Sequence, residues 1–338
     1  MTIVVGFDVH RSQITFDQLD RETGELRRGR IEPATRESLR LWLCRYQGEQ
    51  VEAALEATTG WLFVADELER AGAGVHLAEP AETRARRGPK RRAKTDRADA
   101  RHLRELLAEG RLPEAWRPPA HIQELRTRVR LRKTLVDERT RWLQRIHATL
   151  FHHGLPAPGA LLSHPARARL AGLELPPAAR ERIAVALALA EALDAQLAPL
   201  EAELRAFARR QPGCRALMRE HGIGPLLAPT ILAEYGDVRR FGASRRALRH
   251  TGLDITVAES AGRRAPGKLS RQGPQLLRWA LCEAAKRAAH PSAPDHPYYA
   301  AVRERSNAGR ATLSVARRLA RRCYHRLSEL GEEALVPA

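Results

Sequence analysis

Lys94-Thr95-Asp96-Arg97-Ala98-Asp99-Ala100 sits inside the most basic segment of the chain, between Arg84 and Arg104. Thr95 is suited to cap a helix, and the spacing of Leu103, Leu106 and Leu107 predicts one over Thr95 to Glu109. Asp96 and Asp99, three residues apart at its start, point the same way. Acids in a first turn complement the helix dipole, which by itself accounts for this pair as well as any functional role does. Two isolated acids upstream, each in or at the end of an apolar strand, shift the balance.

The first lies in Thr2 to His10, TIVVGFDVH, where Ile3, Val4, Val5 and Phe7 form a near-continuous apolar strand interrupted by Asp8. A lone Asp in such a strand is costly unless it is paired or bound to a metal. Gln13 to Leu19 and Glu25 to Ile31 read as two further strands joined by the turn Asp20-Arg21-Glu22-Thr23-Gly24, which predicts an antiparallel meander. A helix over Ala34 to Gln47, a strand over Val51 to Leu55, a helix over Trp61 to Ala71 and a strand over Gly74 to Glu79 follow. The second acid, Glu56, ends the fourth strand just before Thr58-Thr59-Gly60; that position favours it over the nearby Glu52. Mixed sheets of this order gather ligand groups at strand ends and at an adjoining helix start.

Beyond Pro113, Pro118 and Pro119 the pattern turns helical. Ile122 to His153 and Ala178 to Arg210 read as a long antiparallel helical hairpin, coiled-coil-like without a sustained heptad, across a proline-bearing loop over Leu155 to Pro177. Its expected roles are spacing, subunit contact or an arm over nucleic acid. Gly222-Ile223-Gly224-Pro225 opens a helix to Tyr235 and can present backbone N–H groups to a phosphate, although a plain interhelix turn has the same signature. Further helices are expected over Phe241 to Thr251, Gly273 to His290 and Arg310 to Leu330, with a polar loop over Gly252 to Ser270. The expected divisions are 1-112, 113-211, 212-300 and 301-338: a mixed-sheet catalytic domain, the hairpin, a mainly helical C-terminal domain and a basic C-terminal helix. The fold class is therefore α/β plus all-α.

Of 338 residues, 43% are hydrophobic, so a sizeable core is available, and 58 Lys and Arg stand against 40 Asp and Glu, a formal charge of +18. The excess is spread along the chain, which favours a polyanionic partner, nucleic acid before a membrane surface. No apolar stretch reads as long enough to span a membrane and no signal peptide is expected. Cys44, Cys214, Cys282 and Cys323 are far apart, with neither a CxxC nor a Cys/His cluster at zinc spacing, and read as reduced, mostly buried thiols of a cytoplasmic protein.

Asp8, Glu56, Asp96 and Asp99 offer hard oxygen donors matching Mg²⁺ or Mn²⁺, in keeping with phosphoryl chemistry at a phosphodiester. Arg84, Arg86, Arg87, Lys90, Arg91, Arg92, Lys94 and Arg97 are placed to bind backbone phosphates. A charge run is ordinarily a solvated face, but acids embedded in it argue for more.

Phe7-Asp8-Val9-His10, Leu55-Glu56-Ala57-Thr58-Thr59-Gly60-Trp61 and Lys94 to Ala100 together resemble the DEDD transposases of bacterial insertion-sequence family 110. The resemblance continues through Gly222-Ile223-Gly224-Pro225, Phe241, Thr251-Gly252-Leu253, Ser260, Ser270-Arg271-Gln272-Gly273 and Leu277-Arg278, from Ile3 to about His290. It implies a RuvC-like, RNase H-type N-terminal domain and a second domain bearing a serine nucleophile. Ser260 matches that serine by its distance to Ser270 and Gly273, with Ser270 as the rival. The sequence departs from the family pattern at Ala261, where Gly is usual, at Arg271 for Lys, and at Asp254, near a usual proline. Read without the resemblance, Ser260 is a loop serine beside a turn. Gly222, Gly224, Arg263, Arg264, Lys268 and Arg271 are the nucleic-acid contacts expected here.

The implied activity is cleavage and exchange of DNA strands at element ends and target, by a homo-oligomer (dimer or tetramer) guided by a structured RNA of the element and located in the cytoplasm, at the bacterial nucleoid. Such a protein would grip RNA by shape and phosphate while base pairing supplies sequence choice. Competing expectations are a RuvC-type junction nuclease using water, and a nonenzymatic basic scaffold whose acids are helix caps.

Overall fold

Ile3, Val4, Val5 and Phe7 are all buried in β1 (Thr2–Val9), the central strand of a five-stranded sheet in the order β3-β2-β1-β4-β5. The computed structural model describes residues 2–87, 95–256, 259–260, 263–264 and 267–337, the side chains of 259–260 and 263–264 excepted. The chain divides into two compact units, Met1–Arg117 and Pro118–Ala338.

In the first unit, β2 (Ile14–Asp20) and β3 (Leu26–Ile31) complete the antiparallel meander, with Phe7 opposite Phe16. On the other side of β1, β4 (Gln50–Glu56) and β5 (Gly74–Ala78) run parallel to it, with Phe7 beside Leu55. Parallel neighbours need crossovers: α1 (Arg36–Leu43) precedes β4 and α2 (Trp61–Arg70) precedes β5. Both helices cover one face, where Phe7 and Leu55 meet Leu39, Trp42, Val64 and Leu68. Trp42 lies edge-on to Phe7, ring centroids 5.4 Å apart. The two helices are tied by Glu67, buried on α2, whose carboxylate accepts from Arg36, Arg40 and Arg70. Hydrogen bonding from Arg40, then Arg36, outweighs burial and holds the Glu67 carboxyl down at about 2.

The opposite face belongs to α4 (Asp96–Ala108), reached after the short α3 (Pro80–Ala85). Side chains alternate along a strand, so Gly6 and Asp8 face away from Phe7, toward α4. Gly6, Ala54 and Ala78 leave a shallow floor, and α4 settles into it through Ala100 and Leu103. The contact is close: a Cβ at Gly6 would stand 2.1 Å from the Ala100 carbonyl oxygen and 2.6 Å from the Arg104 nitrogen. A buried ion pair fixes the helix laterally. Arg104 Nε donates to Asp17 Oδ1 on β2, while Arg28 Nε reaches Asp17 Oδ2 from β3 at 2.7 Å.

The second unit begins with α5 (Ala120–His152), continues through α6 (His164–Ala171) and returns along α7 (Pro177–Arg210). Arg128–Glu203, Arg132–Glu201 and Arg139–Asp194 pairs lock α5 and α7 antiparallel. Leu125, Val129, Leu204 and Ala208 share one core with the C-terminal helices, whereas Ile146, Leu150, Leu170 and Ile183 form a separate cluster at the far end. Then come α8 (Pro212–Leu217), α9 (Leu227–Tyr235), α10 (Ser244–His250), the two-residue strands β6 (Glu259–Ser260) and β7 (Arg263–Arg264), α11 (Gln275–Ala285), α12 (His296–Arg305) and α13 (Ala308–Leu330).

Two expectations are corrected. α7 is long and apolar enough to cross a membrane by length and composition, with a mean hydropathy of 1.6 over its most apolar window, contrary to the reading that no stretch qualifies. Ion pairs to α5 run along its polar side. Cys44 is exposed; Cys214 and Cys323 are buried and Cys282 is half-buried. In addition, α3, α6 and α12 lie where loops or undefined segments were read. Each carries a proline in its first turn, Pro80, Pro165 and Pro297, where the missing N–H has no partner to lose.

Gly6→Ala is expected to destabilise the fold by about 1–3 kcal/mol, because α4 must lift off the sheet; thermal unfolding checks this, and an unchanged Tm contradicts the close packing. Glu67 holds its proton less tightly folded than unfolded, so its contribution is full above its ordinary value near 4.5 and fades as pH falls toward 2. Glu67→Gln should therefore flatten the acid limb of a stability–pH curve in that window.

Candidate active site

β1 ends at Asp8–Val9 and β4 at Glu56, side by side in a parallel register that sets Phe7 beside Leu55 and so Asp8 level with Glu56. α4 starts over the same end of the sheet. Thr95, extended, accepts from the Ala98 N–H at 3.2 Å and defines the first turn; Asp96 and Asp99 are both in it. Two carboxylates from strand ends and two from a helix start are thus brought together.

The strand-end acids Asp8 and Glu56 feel this crowding. Asp8 is pushed up, first by burial and then by Asp99 and Asp96, with His10 opposing. Glu56 is pushed up by burial above all, helped by Asp99 and Asp8 and opposed by Arg87 and Arg84. Asp8 Oδ2 is buried and makes no hydrogen bond among the described residues; His10 Nε2 stands 3.3 Å from it and 3.6 Å from Asp96 Oδ1. Gln13 Nε2 donates to Asp96 Oδ2 at 3.1 Å. Asp8, His10 and Asp96 offer ligand atoms within 4.8 Å of one another.

A buried carboxylate oxygen with no donor among the described residues, near further acids, is a poor resting arrangement for a protein alone and a good one around a divalent cation. The carboxylate-rich set suits Mg²⁺ or Mn²⁺, and the imidazole of His10 adds a ligand type that first-row transition ions accept. Two contributors, His10 and Gln13, were not singled out in the sequence. Alternation along the segment read as a strand over Thr2 to His10 would have put His10 on the face of Asp8; in the structure it lies one residue past the end of β1. Gln13 reaches the site through a turn whose geometry no pattern announces.

Arg87, grouped with the phosphate-binding residues, is half-buried and pairs with Asp99. Arg86 donates to the Arg111 carbonyl; Arg84 and Arg97 are exposed. Lys90, Arg91, Arg92 and Lys94 lie outside the described residues. Glu52 stands two pleats away from Glu56 and pairs with His76, 2.9 Å away, so it takes no part in the acidic group.

In the second unit, Ser260 pairs with Arg263 across β6 and β7; the side chains of Ser260, Arg263 and Arg264 lie outside the description. The stem below them is well defined. Thr256 and Lys268 are hydrogen-bonded, Ser270 N–H donates to the Asp254 carbonyl at 3.0 Å, and Ser270 Oγ donates to the Asp254 carboxylate. Lys268 and Arg271 are exposed, Arg271 at a φ of 53°. The two segments cross in backbone contact: a Cβ at Gly252 would stand 2.5 Å from the Gln272 oxygen, and one at Gly273 would stand 1.9 Å from the His250 oxygen. Thr251-Gly252-Leu253 and Ser270 to Gly273 are therefore a clasp at the root of the hairpin that carries Ser260. Gly222, at a φ of 90°, lies against the Ala284 carbonyl of α11, while Gly224 opens to free space. Gly222 is thus needed for helix packing as the turn stands.

A five-stranded sheet of this order, with acids converging at one end beneath a helix start, defines an RNase H-like, RuvC-type domain. Comparison with known families narrows it: residues 5–153 match the IS110 DEDD transposase model, described as a transposase, and residues 214–300 match that of the transposase IS116/IS110/IS902 family. The chain belongs to the IS110 family of transposases. Among relatives, the sequence designated transposase y4rJ of Sinorhizobium fredii is 31% identical over 242 residues, covering 64% of this chain and 60% of its own length. A family 20 transposase of Pseudomonas aeruginosa is 30% identical over 96 residues, 28% of each chain. The transposase for insertion sequence element IS1111A of Coxiella burnetii is 24% identical over 197 residues, 57% of this chain and 54% of that one. The alignments thus span between about a quarter and three fifths of these relatives.

Mn²⁺ or Mg²⁺ should raise the Tm of the protein, since a ligand bound only to the folded state stabilises it by mass action. Asp8→Asn should abolish the shift; a shift of the same size in the variant would place ion binding elsewhere.

Proposed function

We propose that the protein is a DNA transposase that cleaves and exchanges strands at the ends of its element and at a target, using divalent ions and a serine nucleophile. The convergence of Asp8, Glu56, Asp96 and Asp99 at one end of the sheet carries this reading. When bound there, Mg²⁺ or Mn²⁺ would neutralise charge building on the phosphoryl oxygens and the leaving oxygen. The chain's own groups do the rest. Asp8 and Glu56, held on neighbouring strands, fix the spacing of the ligands; Asp96 and Asp99 close the set from α4. Arg87 compensates Asp99 in the absence of substrate.

Ser260 is the proposed nucleophile. Its hydroxyl loses its proton, its Oγ forms a bond to the scissile phosphorus, and the DNA oxygen on the far side leaves and takes up a proton. The phosphoserine link conserves the energy of the broken bond, so attack by another strand's hydroxyl reverses the step and releases the serine. The clasp of Gly252 and Gly273 supports this by anchoring the hairpin that carries Ser260. The serine acts on the acids of its own chain or of a second copy; recombination of several strands favours a homo-oligomer, and exposed Phe151, Val185 and Leu189 on the helical pair offer apolar surface for one. A structured element RNA as guide is consistent with the excess of Arg and Lys. Action on DNA places the protein in the bacterial cytoplasm, at the nucleoid.

Purified protein, RNA transcribed from the element's ends and labelled DNA spanning them are incubated with Mg²⁺ and resolved under denaturing conditions. The expected result is a DNA–protein adduct in the wild type that is lost in both Asp99→Ala and Ser260→Ala. Cleavage that survives Ser260→Ala without an adduct would show water as the nucleophile, and an adduct formed without metal would remove the acids from the chemistry.

A further inference from the structure

Beside the acidic group, on the other flank of α4, lies a cavity of about 270 Å³ lined by Asp17, Arg28, Gly29, Arg97, Ala98 and Arg101. We propose that it is a seat for a phosphodiester of the nucleic-acid backbone, one that holds the strand next to the phosphate at the acids. This rests on the reading of the chain as a DNA-acting protein and adds where the strand is gripped.

The wall chemistry selects an anion. Arg97 and Arg101, one helical turn apart on α4, face the same way, and Arg28 approaches from β3. Among the described residues Arg28 is hydrogen-bonded through Nε alone, to Asp17 Oδ2, and Arg101 through Nε alone, to Glu105 Oε1 at 2.7 Å. The terminal nitrogens of both guanidiniums are left for a ligand. Arg97 makes no ion pair or hydrogen bond among the described residues. The lone carboxylate in the wall, Asp17, is compensated on both oxygens, by Arg28 and by buried Arg104. Among the described residues around the cavity, the guanidiniums of Arg28, Arg97, Arg101 and Arg104 thus stand against two carboxylates, Asp17 and Glu105. Planar forks with paired N–H groups are the side chains that hold phosphate oxygens bidentately.

Placement ties the cavity to the chemistry. Asp96 and Arg97 are consecutive, so the first turn of α4 turns its acids toward the ends of β1 and β4 and its arginines toward β2 and β3. A strand with one phosphate at the acids meets the guanidiniums with the next. The α4 N-terminus adds its dipole to the same side.

The test titrates full-chain protein against a short labelled duplex DNA of mixed sequence over a range of salt concentrations, for the wild type and for Arg97→Gln/Arg101→Gln. These substitutions leave the Arg28–Asp17–Arg104 bridge in place, and Tm confirms folding. Each lost phosphate contact should make the slope of log affinity against log salt shallower by about 0.9, so the double variant should be shallower by about 1–2. If the double variant loses stability, Arg97→Gln alone is read the same way at about half the effect. Equal slopes overturn the phosphate seat and leave the DNA reading intact. A wild type with no salt-dependent affinity for DNA overturns both.

Discussion

The contact that the first unit depends on is the seating of α4 directly on β1, backbone against backbone, at Gly6. A side chain there would collide with the Ala100 carbonyl, and only with that carbonyl so near does the first turn of α4 come over the end of the sheet. Ala54 and Ala78 widen the seat, and the Arg104–Asp17 pair stops the helix from sliding across it. Breaking such a buried pair from one side leaves an unpaired charge in the interior, at a cost of about 3–5 kcal/mol, so the lateral position is strongly held. The acids Asp96 and Asp99 are then delivered to Asp8 and Glu56 by rigid elements, which are better suited than loops to holding ligands at fixed separations.

The arrangement sets electrostatic strain against structural firmness. Burial and mutual repulsion disfavour the charged forms of Asp8 and Glu56. His10 relieves part of this at Asp8, as Arg87 and Arg84 do at Glu56, and Asp8 Oδ2 has no hydrogen bond among the described residues. A fold that tolerates such a group has supports elsewhere, here the aromatic core of Phe7, Phe16 and Trp42 and the Glu67 cluster joining α1 to α2. The same logic separates the two faces of the sheet: one holds the aromatic core, the other holds α4 and the four acids.

Much of this was legible in the sequence. Asp8 could be singled out because a charged residue interrupts an otherwise apolar strand, and the Asp96/Asp99 pair because Thr95 marks where the helix begins. Glu56 was separable from Glu52 by the turn that follows it. What stayed hidden depends on three-dimensional closeness. Nothing in the sequence says that Gly6 is small because a helix backbone passes over it, or that Arg87 pairs with Asp99. His10 was visible as a motif residue, but its reach toward Asp96 depends on α4 starting over the end of β1. Pro165 lies in a stretch that reads as a proline-bearing loop and stands in the first turn of α6, as Pro80 and Pro297 do in α3 and α12. In the second unit, Gly252 reads as opening a polar loop and Gly273 as opening a helix, and the physical reason for both glycines is that two backbones cross where they stand.

The central claim is that the four acids at the end of the sheet form one divalent-cation site. The most direct measurement is anomalous scattering from crystals of the full chain grown or soaked with Mn²⁺. The account predicts anomalous density among Asp8, Glu56, Asp96 and Asp99, with the Arg87–Asp99 contact rearranged. Density found only elsewhere, with Arg87 still paired to Asp99 and Asp8 Oδ2 unligated, would contradict it.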